Sequence, residues 1–311
     1  MLLPVFVLAA TWPLRLAAED IPARAILRVQ AGERSPHPIP RFLTGKFAEH
    51  LGQNIYNGMD AQILRNPTFA WFPFWNGQMS PDGVTLFQVD REKINQDLHR
   101  RAILLGWPET ELNRLSEAYQ DGLACWWTRV GPRDEVVCSP DTAPHGQRAQ
   151  RVEVQKAGQG IAQWTYLPLH RIRKYEYQLF LRSPNLKTLT VALTTGQVDK
   201  PLATAVVRGV TTGWQQFQGV LEVGTNQPGN QPWQLSLTAE EPGQIVLGRI
   251  LLRPADHAQG ADPDVVRLLR ESRLPLLRWP GGNFASTYHW KDGVGPVEQR
   301  PTRPNLAWGG V

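Results

Sequence analysis

Leu274-Pro275-Leu276-Leu277-Arg278-Trp279-Pro280-Gly281-Gly282-Asn283-Phe284 decides the fold of this chain. The apolar run from Leu274 to Leu277 reads as a strand, and it passes directly into an Arg, a Pro-Gly-Gly turn and an Asn. A strand that ends by projecting Arg and Asn from a Gly-built turn is how a β/α barrel builds part of a site at the carboxyl ends of its strands. Just upstream, Asp262-Pro263-Asp264 opens a helix, because Asp caps helix N-termini and Pro suits the first turn. Val265, Val266, Leu268 and Leu269 supply its apolar face. Helix followed at once by strand is an α/β rhythm.

Moving towards the N-terminus, the character changes. Between about residues 124 and 254 short strand-like segments recur: Arg151 to Val154 and Tyr175 to Arg182 alternate, Leu189 to Leu193 follows, Trp214 to Phe217 leads into Gly219 to Val223, and Trp233 to Leu237 and Ile245 to Leu252 complete the set. Short strands parted by Gly, Pro and Asn turns predict a β-sandwich. Before it, Ile94, Leu98, Ala102 and Leu105 share one helical face, and Leu112, Leu115 and Ala118 continue as a second short helix. Earlier still, Phe42 to His50 reads as a strand ending in the polar pair Glu49-His50, and Ala25 to Gln30 as a short strand. Met59 to Leu64 suggests the start of a helix or turn that closes at Asn66-Pro67. Residues 67 to 85 are aromatic and loop-like. The expected fold is therefore α/β plus all-β, one barrel-type domain interrupted by an inserted sandwich.

Composition narrows the function. The 311 residues are 41% hydrophobic and 20% charged, an ordinary globular balance. The net charge of +5 comes from short separate clusters such as Arg100-Arg101, Arg171 to Lys174 and Arg300 to Arg303. No long basic run alternates with aromatics, so nucleic acid is not the expected partner. Twelve Trp outnumber six Tyr and ten Phe, and sugars stack their C–H faces on such rings. Cys125 and Cys138 are too few for a disulfide scaffold or a Cys-based zinc site, and they read either as one disulfide or as free buried thiols. Seven His form no ligand-spaced cluster, so neither metal nor organic cofactor is expected. The apolar run Met1 to Leu14, with Ala17-Ala18 before Glu19, has the length of an export signal and is too short to span a bilayer. The usual basic start is absent and Arg15 follows the apolar run, so the true start lies upstream or the signal is atypical. A secreted or periplasmic location is expected, without membrane anchoring.

Two segments resemble one family. Gly45 to Gly52 with Ile55 to Met59 and Ile63 to Asn66 resemble the first barrel strand and loop of family 51 α-L-arabinofuranosidases. Arg278 to Phe284 with Tyr288, Trp290, Asp292 to Pro296, Arg300-Pro301 and Trp308 resemble the second. The middle resembles the galactose-binding-like jelly-roll modules carried by some members. The resemblance implies a (β/α)8 TIM barrel whose first two strands flank the sandwich. The implied boundaries are a leader at 1–18, the first barrel part with its helical insertion at 19–123, the sandwich at 124–254 and the resumed barrel at 255–311.

By motif position, the resemblance makes Glu49 the carboxylate that hydrogen-bonds arabinose hydroxyls, Arg278 the Arg that fixes nearby carboxylates, and Asn283 a sugar-contacting loop residue. Charged partners make the strong directional hydrogen bonds such a sugar needs. A plain alternative stands beside each: Glu49 pairs with Arg278 for structure alone, Asn283 is a turn residue, and His50 packs without catalysing. Asp292 reads as a loop-shaping residue. Retaining glycosidases need an acid/base and a nucleophile about 5 Å apart. The resemblance puts both on later barrel strands, the first in an Asn-Glu pair that occurs nowhere in these 311 residues. No catalytic residue is therefore assigned. The chain is expected to be the front portion of such an enzyme, or one whose remaining barrel is supplied by a separate chain. The expected partner is plant cell-wall polysaccharide or an arabino-oligosaccharide. A second reading, a non-catalytic carbohydrate-binding module, takes Trp126, Trp127, Trp164, Trp214 and Trp233 as candidate platforms, with a packed-core or domain-interface role the expectation for any single one of them.

Overall fold

The computed structural model describes residues 26–51, 54–70, 91–144, 147–196, 200–227, 229, 231–296, 299–303 and 305–308. The expected leader at 1–18 and most of the aromatic stretch at 67–85 lie outside them. The chain divides into two compact units, residues 1–43 and 44–311. In the first, the strand expected over Ala25 to Gln30 is absent from its described part, 26–30, where Ile26, Leu27 and Val29 are exposed. A strand needs a partner to satisfy its backbone and cover its side chains.

The second unit is mostly β. Its sandwich is built from β2 (Thr128–Val130), β3 (Val136–Thr142), β4 (Arg148–Val154), β5 (Gly160–Thr165), β6 (Lys174–Arg182), β7 (Thr188–Thr194), β8 (Ala203–Arg208), β9 (Gln215–Glu222), β10 (Trp233–Ala239) and β11 (Gly243–Pro254), following β1 (Lys46–Phe47). Two five-stranded antiparallel sheets result, ordered β2-β5-β10-β7-β8 and β3-β4-β11-β6-β9. Alternation sets the inner faces: Tyr175, Tyr177, Leu179 and Leu181 of β6 point inward with Leu235, Leu237, Leu247 and Ile250. Each such apolar side chain contributes about 1.5–3 kcal/mol on burial.

One strand that the sequence reading did not list, β5, departs from the alternation rule. Every residue of β5 is buried, because two helices cover the outer face that would otherwise be polar. These are α1 (Arg91–Leu104) and α2 (Leu112–Gln120), whose Ile94, Leu98, Ala102 and Leu115 pack with Trp164 of β5. β3 contains Pro140, which an edge strand tolerates. The stretch expected to run from Trp214 into Val223 forms one continuous strand, β9.

Outside the sandwich lies a two-stranded parallel sheet. β1 pairs with β12 (Leu277–Arg278), Lys46 opposite Leu277 and Phe47 opposite Arg278. Both strands are shorter than expected. Residues Arg41–Thr44 form a 3-10 turn instead of strand, and Pro275 lacks the N–H a ladder requires. Met59 to Leu64, expected to start a helix or turn, forms no helix: a single wide turn, Ile55–Met59, ends where that stretch begins, and the chain then extends to Asn66-Pro67. Helix α3 (Pro263–Glu271) precedes β12, and the Asp262 side chain accepts from the N–H groups of Asp264 and Val265, as its sequence requires. Arg171 of the sandwich reaches Asp256, Asp262 and Asp264 at 2.9, 2.7 and 2.7 Å, tying α3 to the loop before β6. Among the described residues no helix is long and apolar enough to cross a membrane.

Candidate functional site

The ladder between β1 and β12 continues past the strands: Ala48 N–H donates to the Arg278 carbonyl at 2.8 Å. That alignment delivers Glu49 beneath the Pro-Gly-Gly turn. Gly281 sits at φ +82°, and a Cβ there would stand 2.7 Å from Glu49 Cβ and 2.8 Å from the Ala48 carbonyl oxygen. A Cβ on Gly282 would stand 3.0 Å from Glu49 Oε2. The two glycines let the turn close over the carboxylate.

Glu49 is 3% exposed. Its Oε1 accepts from the Phe284 N–H at 2.9 Å and from the Trp308 indole at 2.7 Å. The Phe284 N–H holds its carboxyl below the usual carboxylate range, helped by Trp308 and more weakly by Arg278. Asn305 completes the junction: its Nδ2 donates to the His50 carbonyl at 2.7 Å and its Oδ1 accepts from the Trp308 N–H at 3.1 Å. Glu49 therefore joins three stretches far apart in sequence.

Beside this junction is an aromatic cluster. His50 stacks on Phe284 with centroids 4.3 Å apart and meets Trp279 edge-on. Its Nδ1 lies 2.7 Å from the Tyr56 hydroxyl. Burial pushes the His50 pKa down and pushes the Tyr56 pKa up to about 12. The cluster lines a cleft of about 1000 Å³ together with Trp279, Tyr288, Trp308 and Arg249, Leu251 and Arg253 of β11. A concave site with apolar rings and a few placed polar groups is the usual form of a small-molecule site.

Glu49, Arg278 and Asn283 converge at the ends of the paired strands, yet the cleft is lined by their neighbours His50, Trp279 and Phe284. Arg278 is exposed and lies over the Phe47 ring at 5.3 Å, and no described carboxylate is within ion-pairing distance of it. Asn283 is exposed and opens a 3-10 turn, Asn283–Ser286. Asp292 accepts from Arg303 at 3.2 Å and so shapes its loop. The sequence reading missed Asn305, whose signal was only its three-residue spacing to Trp308.

Four of the five candidate platforms take the packed-core role expected of any single one of them. Trp127 and Trp233 are wholly buried in the sandwich core, and Trp126 and Trp164 are buried under the helices, so none of the four offers a ring face to a polymer. Trp214 is partly buried, stacked on Phe180 with centroids 4.9 Å apart. Cys125 and Cys138 are free and buried, and burial raises both thiols, Cys138 to about 11. Among the described residues no group of three or more His, Cys, Asp or Glu is placed to hold a metal ion.

No family model matches the chain. Curated relatives match a short segment of it and define a class of glycosidase. Alpha-L-arabinofuranosidase C of Emericella nidulans is 49% identical over 75 residues, 24% of this chain and 15% of the relative. The intracellular exo-alpha-(1->5)-L-arabinofuranosidase of Halalkalibacterium halodurans is 56% identical over 55 residues, 18% of this chain and 11% of the relative. The probable alpha-L-arabinofuranosidase C of Aspergillus niger is 59% identical over 52 residues, 17% and 10%. The matched part spans about 15% of the length of the first of these relatives. A segment of this chain is thus related to α-L-arabinofuranosidases.

Among solved structures, the chain resembles the CBM22-1–GH10 modules of Clostridium thermocellum Xyn10B complexed with xylohexaose (TM-score 0.32, 13% identity, 43% of this chain and 27% of that one). It also resembles the CBM22-1 xylan-binding domain of Paenibacillus barcinonensis Xyn10C (TM-score 0.31, 15% identity, 45% and 92%). At that level the likeness carries no argument, and the sandwich stands on its own strand pairing.

Proposed function

We propose that this chain carries the sugar-holding front part of a family 51 α-L-arabinofuranosidase site, with β1 and β12 as the first two strands of a (β/α)8 barrel. The observation behind this is the convergence of two motifs some 230 residues apart: β1 and β12 pair in parallel, and Glu49 accepts the Phe284 N–H across that gap. In this reading Glu49 uses Oε1 to fix the turn and offers Oε2 to a furanosyl hydroxyl, since an ionised carboxylate has about four acceptor sites. Arg278 and Asn283 contact the sugar from the rim. Trp279, Tyr288 and Trp308 provide the stacking wall. The reaction of the whole enzyme would be retaining hydrolysis of terminal arabinofuranosyl groups. The 311 residues contain no Asn-Glu pair, so this chain by itself binds without turnover. It acts outside the cell, in the secreted or periplasmic space.

The test is equilibrium binding of arabinotriose by the full chain and its Glu49→Gln variant, followed by tryptophan fluorescence. Saturable binding that weakens about tenfold in the variant, or roughly 1.4 kcal/mol, is expected. Absence of binding, or equal binding by both proteins, contradicts the reading. Release of arabinose from an aryl arabinofuranoside by the purified chain contradicts the expectation of no turnover.

A further inference from the structure

The cleft that the aromatic rings line is also strongly cationic. Six arginines line the cleft (Arg65, Arg101, Arg249, Arg253, Arg300 and Arg303) against two described carboxylates, Asp60 and Asp292. Several are engaged: Arg303 pairs with Asp292, Arg300 donates twice to the Gly295 carbonyl, and Arg249 reaches Gln178. Arg65 and Arg101 differ. They lie close enough for the Arg101 charge to act on Arg65, a like-charge pair in a partly desolvated place. The described carboxylate beside Arg101 is Asp97, at 3.5 Å, and Arg100 holds that group more closely at 2.7 Å. No described carboxylate lies within ion-pairing distance of Arg65. Among the described residues the Nε atoms of both are buried without a hydrogen-bond partner; that of Arg253 is too, but the Arg253 charge acts on Asp60.

Arg65 is also held at its base. Its N–H donates to the Gln163 side chain at 2.6 Å and its carbonyl accepts from the same amide at 2.8 Å, and Gln163 is fully buried in β5. Two neighbouring guanidinium groups on fixed backbone, short of counter-charge and open to a cleft, match a planar carboxylate, which Arg binds bidentately. The Trp279, Tyr288 and Trp308 rings facing the same cleft select a carboxylate carried on a sugar over a small free anion.

We propose that Arg65 and Arg101 form an acidic-sugar subsite, which takes the carboxylate of a uronic acid residue while the uronate ring or its neighbour stacks on the aromatic wall. This rests on the carbohydrate reading above and adds the charge of the ligand.

The experiment measures binding of digalacturonate, the neutral digalactoside of the same linkage, arabinotriose, acetate and polyglutamate to the full chain. It is repeated with Arg65→Gln and Arg101→Gln and at about 0.5 M salt, where a shorter screening length weakens open charge pairs. Digalacturonate is expected to bind at least about tenfold tighter than the digalactoside, with that advantage lost in either variant or in high salt. The salt dependence of the unaltered chain keeps the test decisive if a variant fails to fold. Equal binding of acidic and neutral disaccharides overturns the subsite; arabinotriose binding in the same experiment would leave the parent reading standing. Failure of every sugar overturns both. Acetate binding as tightly as digalacturonate makes the pair a general anion site and overturns the sugar assignment. Polyglutamate binding more tightly overturns it in favour of a protein partner.

Discussion

The sandwich and the parallel strand pair are held by different physics. In the sandwich, ten strands close two sheets over one apolar core, and Leu179, Leu181, Leu247 and Trp233 are wholly buried. In the pair, each strand is two residues long, and Phe47 and Leu277 remain 46% and 42% exposed. Helix α3 has an apolar stripe and no buried residue. Apolar burial stabilises the first region. The second is organised by polar contacts through Glu49, Asn305 and Arg171. The lesson is that a site can be positioned by a few charge-assisted hydrogen bonds where little core exists around it.

The comparison can be broken by mutation. Trp233→Ala, in the sandwich centre, is expected to cost about 3–5 kcal/mol, read as a fall in Tm or in the denaturant midpoint. A loss under 1 kcal/mol would mean that the core is not closed there. Arg171→Gln removes the partner of three aspartates that are only partly buried, so solvent screening limits the loss to about 1–2 kcal/mol. Its signature should be local, with faster proteolysis at α3 and an unchanged core transition; a uniform loss would mean that α3 and the sandwich unfold as one. Leu277→Ala, on the exposed pair, should shift stability by no more than about 0.5 kcal/mol. A loss above about 2 kcal/mol would show the pair to be covered by further structure.

Acid sharpens the same contrast. The folded-state pKa of Glu49 is depressed, so its stabilising contribution is fully present above the ordinary carboxylate value and is lost as pH falls through the folded value. Trp308 fluorescence should therefore hold steady through the ordinary carboxylate range and change only below it. A transition at the ordinary value would mean that the Phe284 and Trp308 bonds do not hold the charge.

Much of the sandwich could be read from alternation. β4, β6 and β7 fall where alternating or β-branched patterns put them and β10 and β11 where apolar segments between turns put them, and α1, α2 and α3 follow their apolar faces and the Asp262 cap. β5 was hidden because helices bury its second face, erasing the alternation. In the site, Glu49 and the Pro-Gly-Gly turn were legible as a motif, while their geometry was not. The Glu49 carboxylate was expected to face sugar or Arg278, and its described hydrogen bonds are to Phe284 and Trp308. Contacts across more than 200 residues leave no local pattern. Nor does a lone Trp announce its neighbours, which is why four apparent platforms are core residues.

The most direct test of a sugar site at the strand pair rather than on the sandwich is hydrogen exchange of the full chain with and without saturating arabinotriose. Slowed exchange confined to residues 46–56 and 277–308 is the predicted result. Protection confined to β6 and β9, around Phe180 and Trp214, would contradict it and make the sandwich the binding element.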